Sequence, residues 1–211
     1  MNIQLKLRRG DLRQALLDYA MQAAATGDIE TMSLRQAARD LGVSSGAVYR
    51  HFPDKDSLLT QTVFIGHQTL SEGFRTIRPA DQPAQSIQQV IDRAYAITEL
   101  YMNFALERPA LWRMMFGRIG VLCRETILEQ HPEEKEYTPL DVVQQNFCDL
   151  HRLGAIPTEP TIGDIRFTWS AVHGAADLAQ SGIRYDADDI AGIIDQTVRL
   201  NCRAIGFELP Y

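Results

Sequence analysis

The twenty residues from Ser33 to Phe52 constrain this chain more than any other stretch. Ser33-Leu-Arg-Gln36 places a hydroxyl at an N-cap and a side-chain amide three residues on, the pattern of a capping box. That predicts a helix over Leu34–Leu41, stopped by Gly42. Ser44 caps a second short helix, which ends before Pro53 and carries Val48 and Phe52 inward. Ala37 sits where the first of these helices must be approached closely, and Gly42-Val43-Ser44 is the turn between them. Two short helices that cross steeply need a small contact residue and a glycine at the corner, so the segment reads as a helix-turn-helix.

Elsewhere helical periodicity runs almost throughout, with no convincing strand-like alternation, so the fold class is all-α. A first helix is expected over Asp11–Thr26, with Leu12, Ala15, Leu16, Tyr19 and Ala23 on one stripe and Gly27 ending it in a left-handed turn. Asp54 caps a long helix that reaches toward Arg78, and Pro79 and Pro83 mark a loop. Ser86–Glu107 reads as a helix burying Val90, Ile91, Ala94, Ile97 and Tyr101, and Pro109 starts another around Leu111–Phe116. His131-Pro132 breaks whatever lies between Val121 and Gln130. Thr138-Pro139-Leu140-Asp141 is a well-formed start with proline at the first helical position, and that helix should end at Gly154. Two last helices are expected over Ile162–Ser181 and Asp188–Ile205. The expected architecture is a three-helix helix-turn-helix domain over residues 1–60, joined by the long helix to a larger helical domain over 61–211. It comprises about nine helices in all.

Composition narrows the function. The chain has 211 residues, enough to bury a sizeable core, and at 45% hydrophobic and 23% charged it is globular rather than disordered. No apolar run approaches the roughly 18 residues of a membrane span, and the basic start Met1–Gly10 has no apolar stretch behind it. Cys123, Cys148 and Cys202 are an odd, widely spaced set without a CxxC pair, which points to reduced thiols in a cytoplasm and against a structural metal. Nothing suggests a cofactor. His51, His67, His131, His151 and His173 are scattered with no HExxH, and Glu133-Glu134-Lys135-Glu136 reads as a solvated charged turn. GxSxG, phosphate-loop and GxGxxG patterns are absent, so the chain is not read as an enzyme. The net charge of −6 is uneven: residues 1–60 hold 8 Lys and Arg against 7 Asp and Glu, the remainder 13 against 20. An acidic body repels nucleic acid, so a polyanion partner must meet the N-terminal part.

The outward residues of the second short helix suit that task. With Ser44 at its cap, Ser45, Gly46 and Ala47 are small enough for close approach to base edges, while Tyr49 and His51 reach further along the groove. Ser33, Arg35 and Lys55 flank it as phosphate contacts. In a helix-turn-helix the second helix enters the major groove of double-stranded DNA and the first crosses the backbone.

The run Thr31–Leu59 closely resembles the DNA-binding segment of the TetR family of bacterial transcriptional regulators. The spacing Gly-Val-Ser-x-Gly-x-x-Tyr-x-x-Phe-x-x-Lys-x-x-Leu, here Gly42 through Leu58, carries the resemblance, which extends over residues 8–60. It implies that Tyr49 and Lys55 hold phosphates and that Ser45, Gly46, Ala47 and His51 face the groove. Family members often carry lysine where this chain has Ser45 and threonine where it has Ala47. Further on, Trp169-Ser-Ala-Val-His-Gly174 and Glu107–Phe116 look like the C-terminal domain of a TetR subgroup with a Trp-His-Gly signature.

The resemblance implies a homodimer on a palindromic operator, most commonly a repressor released by a small apolar or amphipathic effector. The final two helices carry matching stripes: Ile165, Trp169, Val172 and Ala176 on one, Ile190, Ile194, Thr197 and Leu200 on the other. These face either a partner or their own core. Aromatic and methionine residues of the middle helices, Tyr95, Tyr101, Phe104, Trp112, Met115, Phe116 and Phe147, with His173, are the candidates to line an effector cavity, and at helical spacing they serve equally as core. The alternative is a DNA-bound scaffold that recruits a protein partner without a small-molecule effector.

Overall fold

The computed structural model describes residues 11–181 and 189–209. Among the described residues are ten α-helices and no strand, so the fold is all-α as expected. They are α1 (Asp11–Thr26), α2 (Leu34–Asp40), α3 (Ser45–His51), α4 (Lys55–Ile77), α5 (Ile87–Glu107), α6 (Pro109–Phe116), α7 (Arg118–Gln130), α8 (Pro139–Arg152), α9 (Ile162–Gln180) and α10 (Ile190–Ala204). The helix beyond the expected nine is α7, for which the sequence marked only an end. The expected start at Asp188 and the basic segment Met1–Gly10 lie outside the described residues.

Local chemistry explains most of these boundaries. The Ser33, Ser44 and Ser86 hydroxyls accept from the backbone N–H groups of Gln36, Ala47 and Gln89. Asp54 accepts from the Ser57 N–H at 2.7 Å. Each such cap is worth about 1 kcal/mol. Thr138 and Thr161 form complete capping boxes with Asp141 and Asp164. The box expected at Ser33 does not close, because the Gln36 amide turns along its own helix, donating to Asp40 at 2.7 Å and accepting from Arg39. Gly27 and Gly42 adopt φ of +83° and +69°, the left-handed conformation that stops α1 and opens the turn after α2.

The helices sort into two compact units. The first runs up to Gln68 and takes in Pro109–Glu133, so α6 and α7 join α1–α3 and the first part of α4. Its buried residues include Leu16, Ala37, Val48, Phe52, Leu58, Trp112 and Met114. The second comprises Thr69–Arg108 and the chain from Glu134 onward, the remainder of α4 with α5 and α8–α10. There Val90, Phe147, Leu150, Ile156 and Ile165 form one core cluster, and Met102, Ile193 and Ile194 form another. Helix α4 is continuous and gives residues to both units.

The charged run after α7 corrects one expectation. Pro132–Lys135 form a 3-10 turn, and Glu134 is not solvated: its side chain is 10% exposed and lies 3.7 Å from Arg75. Among the described residues no helix is long and apolar enough to cross a membrane.

Candidate nucleic-acid interface

Helix α3 is anchored from one side only. Val48 is its fully buried residue, and Phe52, just beyond its end, is buried and has the Arg13 guanidinium 5.5 Å from its ring centroid. Ala37 of α2, with no exposed surface, leaves room for the close contact expected of a small residue there. The turn is closed by backbone bonds from Leu41 to Ala37, from Gly42 to Arg39 and from Val43 to Ala38, at 2.9–3.1 Å. Tyr19 of α1 donates to Asp40 at 2.7 Å and ties down the end of α2. Desolvation and that bond push the Tyr19 phenol up to about 12, so at neutral pH it remains a donor.

This scaffold leaves most of the expected reading residues exposed. Ser44, Ser45, Gly46, Tyr49 and His51 are exposed, and Ala47 is half-buried. A Cβ added at Gly46 would meet nothing within 4 Å, so the start of α3 is open to a close neighbour. Ser33 and Arg35 are exposed beside it, and both cap serines keep an O–H to donate after accepting at the helix N-terminus. Lys55 is half-buried, and its ammonium donates to the Glu30 carbonyl at 2.7 Å. That bond fixes the start of α4 against the α1–α2 connection and leaves two N–H groups.

Arg50 was not singled out from the sequence. It is exposed between Tyr49 and His51 and makes no hydrogen bond or ion pair among the described residues, so its charge faces outward uncompensated. The signal that could have found it is a cation on the outward side of a helix in a chain whose net charge is negative.

The residues expected to line an effector cavity fall in both units. Trp112, Met115 and Phe116 lie on α6 in the first, with Trp112 and Met115 buried and Phe116 packed by Trp112 and edge-on to His67. Burial holds the His67 pKa below its ordinary value. In the second unit Phe147 sits in the core, Phe104 is buried with Arg108 over its ring, and Tyr95 donates to Asp195. Tyr101 and His173 do come together. The buried Tyr101 hydroxyl accepts from the Trp169 indole N–H and meets His173 Nδ1, both at 2.9 Å, and His173 Nε2 lies 3.7 Å from Asp177. Burial lowers the His173 pKa and raises that of Tyr101, so the neutral imidazole accepts from a neutral phenol. The link between Trp169 and Tyr101 spans two helices and has no local sequence signal.

Burial divides the two stripes of the last helices. Ile165, Val172, Ala176 and Ile194 are buried within their own unit, and Ile190 packs beside the cluster containing Ile194. Ile165, Val172, Ala176 and Ile194 therefore pack in the core of the unit, while Ile190 is half-buried at its edge. Trp169 and Leu200 are exposed, Thr197 is half-buried, and Phe167 and Leu178, which the stripe omitted, are exposed as well. Phe167, Ala171, Gly174 and Leu178 recur at intervals of four, three and four residues, a second apolar face on α9.

Comparison with known proteins adds two family matches. Residues 16–62 match the model described as "Bacterial regulatory proteins, tetR family", and residues 94–200 match "Tetracyclin repressor-like, C-terminal domain". A nucleoid occlusion factor, SlmA, of Idiomarina loihiensis is 30% identical over 114 residues, 54% of this chain and 53% of that protein. An HTH-type transcriptional regulator of Mycobacterium bovis is 33% identical over 105 residues, 50% of this chain and 40% of that protein. The chain thus spans about half the length of the curated relatives it matches. The solved structure of the TetR-like regulator LfrR from Mycobacterium smegmatis, in complex with proflavine, superposes with a TM-score of 0.58 at 18% identity, covering 93% of this chain and 97% of that one.

Proposed function

The chain belongs to the TetR family of bacterial regulatory proteins, a family of regulators rather than enzymes, and on that premise we propose that it is a ligand-responsive repressor acting as a homodimer on a palindromic operator. The observation that carries the reading is α3: anchored by one buried valine, it presents Ser45, Gly46, Tyr49, Arg50 and His51 to solvent on a turn fixed by backbone bonds. Residues 1–60 read DNA in this account and residues 61–211 dimerise and sense. Ser33, Arg35, Ser44, Tyr49, Arg50 and Lys55 hold the backbone, and Ser45, Gly46, Ala47 and His51 face the groove. A second copy covers Phe167, Leu178 and Leu200, whose exposure is costly in a lone chain. Two reading heads must then lie about 34–36 Å apart, and an effector acts by changing that spacing. Helix α4, unbroken from Lys55 to Ile77, is the covalent route from the sensing residues to the head. The linked Tyr101, Trp169 and His173, within the residues matched by the C-terminal family model, are the polar groups best placed to orient an effector. The proflavine held by LfrR supports a ligand role for this fold.

The likeness to a nucleoid occlusion factor favours a second reading, a DNA-bound scaffold that recruits a protein partner and needs no effector. The test is a mobility shift of duplex DNA with Tyr49→Ala and Lys55→Met. Both variants weaken binding to every sequence alike while remaining folded, and unchanged affinity in both would refute the assigned docking.

A further inference from the structure

The second unit buries two guanidiniums around a single carboxylate. Asp149 of α8 is 3% exposed, and its Oδ2 lies 3.2 Å from Arg78 Nη2 and 3.9 Å from Arg93 Nη1, while accepting from the Ala84 N–H at 2.9 Å. Its Oδ1 is taken by the half-exposed Arg152 at 3.1 Å. Arg78, 4% exposed, is otherwise well served: its Nη1 donates to the Pro79 carbonyl, to Gln145 Oε1 at 2.6 Å and to the Tyr137 hydroxyl. Arg93 is not. It is 8% exposed, its contact with Asp149 is too long for a hydrogen bond, and among the described residues no other carboxylate lies within ion-pair reach. Its Nη1, together with Arg78 Nε, is buried without a hydrogen-bond partner.

A guanidinium cannot shed its proton to escape burial. Burying one without a counter-ion is strongly unfavourable, and here Asp149 is already shared with Arg78 and Arg152. The pattern is that of a site whose balancing negative charge comes from outside the chain. The geometry points to a binding site for a compact oxyanion at Arg93 and Arg78, a carboxylate or phosphate group that accepts from Arg93 Nη1 and supplies the charge Asp149 cannot. Guanidinium donors suit both head groups, because their planar fork matches paired oxygens. Arg78 directly follows the last residue of α4, Arg93 lies on α5 and Asp149 on α8, so the anion would order the junction of these three helices. This deepens the effector reading above by naming the class of ligand, and it is testable apart from it.

The experiment is thermal unfolding of the full chain without DNA, in a buffer of large organic sulfonate, titrated with sodium acetate or sodium phosphate at constant ionic strength. The wild-type melting temperature should rise saturably with at least one anion, by roughly 5–10 °C at a hundred times its dissociation constant. Whichever anion saturates at lower concentration identifies the head group. Arg93→Met keeps the bulk and removes the charge; it should melt no lower than wild type in the sulfonate buffer without acetate or phosphate, and lose the saturable rise. The general stabilisation that phosphate gives any protein remains in the variant and is subtracted. Isothermal titration into wild-type protein, which needs no variant to fold, should give saturating heats. Equal shifts in wild type and Arg93→Met, or heats of dilution alone for both anions, would overturn the site. Because DNA is absent, that failure would leave the DNA-binding reading standing.

Discussion

Arg50→Gln separates charge from shape at the reading surface. Arg50 is exposed on α3 and has no intramolecular partner among the described residues, so the substitution leaves the fold within about 0.5 kcal/mol of wild type. In a dimer it removes two cations from the DNA face. Each phosphate neutralised contributes about −0.9 to the slope of log affinity against log salt, so the slope should flatten by about 1.8. Between roughly 50 and 200 mM salt, wild type should then lose about twelvefold more affinity than the variant. Tyr49→Phe is the matched control. It deletes one neutral hydroxyl per protomer, which weakens binding by about 0.5–1.5 kcal/mol per head and leaves the slope unchanged. Fluorescence anisotropy of a labelled duplex across a salt series reads both quantities. A variant slope equal to wild type, with Tyr49→Phe also silent, would refute the placement of this face of α3 against the DNA backbone.

Val48→Ala removes two methyl groups from the buried anchor of α3, and at about 0.8 kcal/mol each plus a residual cavity it should cost about 2 kcal/mol, lowering Tm by roughly 4–8 °C in a calorimetric scan. On α9, Phe167→Asp should yield a folded monomer in sedimentation velocity, whereas Ile165→Asp, with its side chain inside the unit, should fail to fold; a fully dimeric Phe167→Asp would remove that face from the interface. His67 and His173 are kept neutral in the fold, with pKa values below the 6.5 at which the unfolded chain protonates. The contribution of these two histidines should therefore be constant between about pH 7.5 and 8 and fall as pH drops through 6.5 toward the folded pKa values. Urea midpoints from pH 5 to 8 check this, and a midpoint that rises on acidification would contradict the sign.

What the sequence made legible was local. Ser33, Ser44, Ser86 and Thr138 each announce a helix because an N-cap acts on the backbone two or three residues away. Helix α7 went unannounced for a physical reason: its N-cap, Gly117, has no side chain to cap with. Close packing governs that corner instead, since a Cβ at Gly120 would lie 1.8 Å from the Met115 carbonyl oxygen. The stripes of α9 were visible but not their direction, because Ile165, Val172 and Ala176 share a period with Phe167, Ala171 and Leu178, and only packing decides which set is core. The outward residues of α3 could be read because Val48 and Phe52 fix its rotation. Asp149, Arg78 and Arg93 come together from distant segments and carry no local signature, and neither does the Trp169–Tyr101 bond.

The central claim is that two copies of α3 read one duplex, and selection of binding sites from random DNA by the purified protein tests it most directly. The account predicts enrichment of a palindrome whose half-sites are centred about one helical turn apart, with affinity falling steeply with salt. Enrichment of no sequence at moderate salt, or of a lone half-site bound by a monomer, would contradict it.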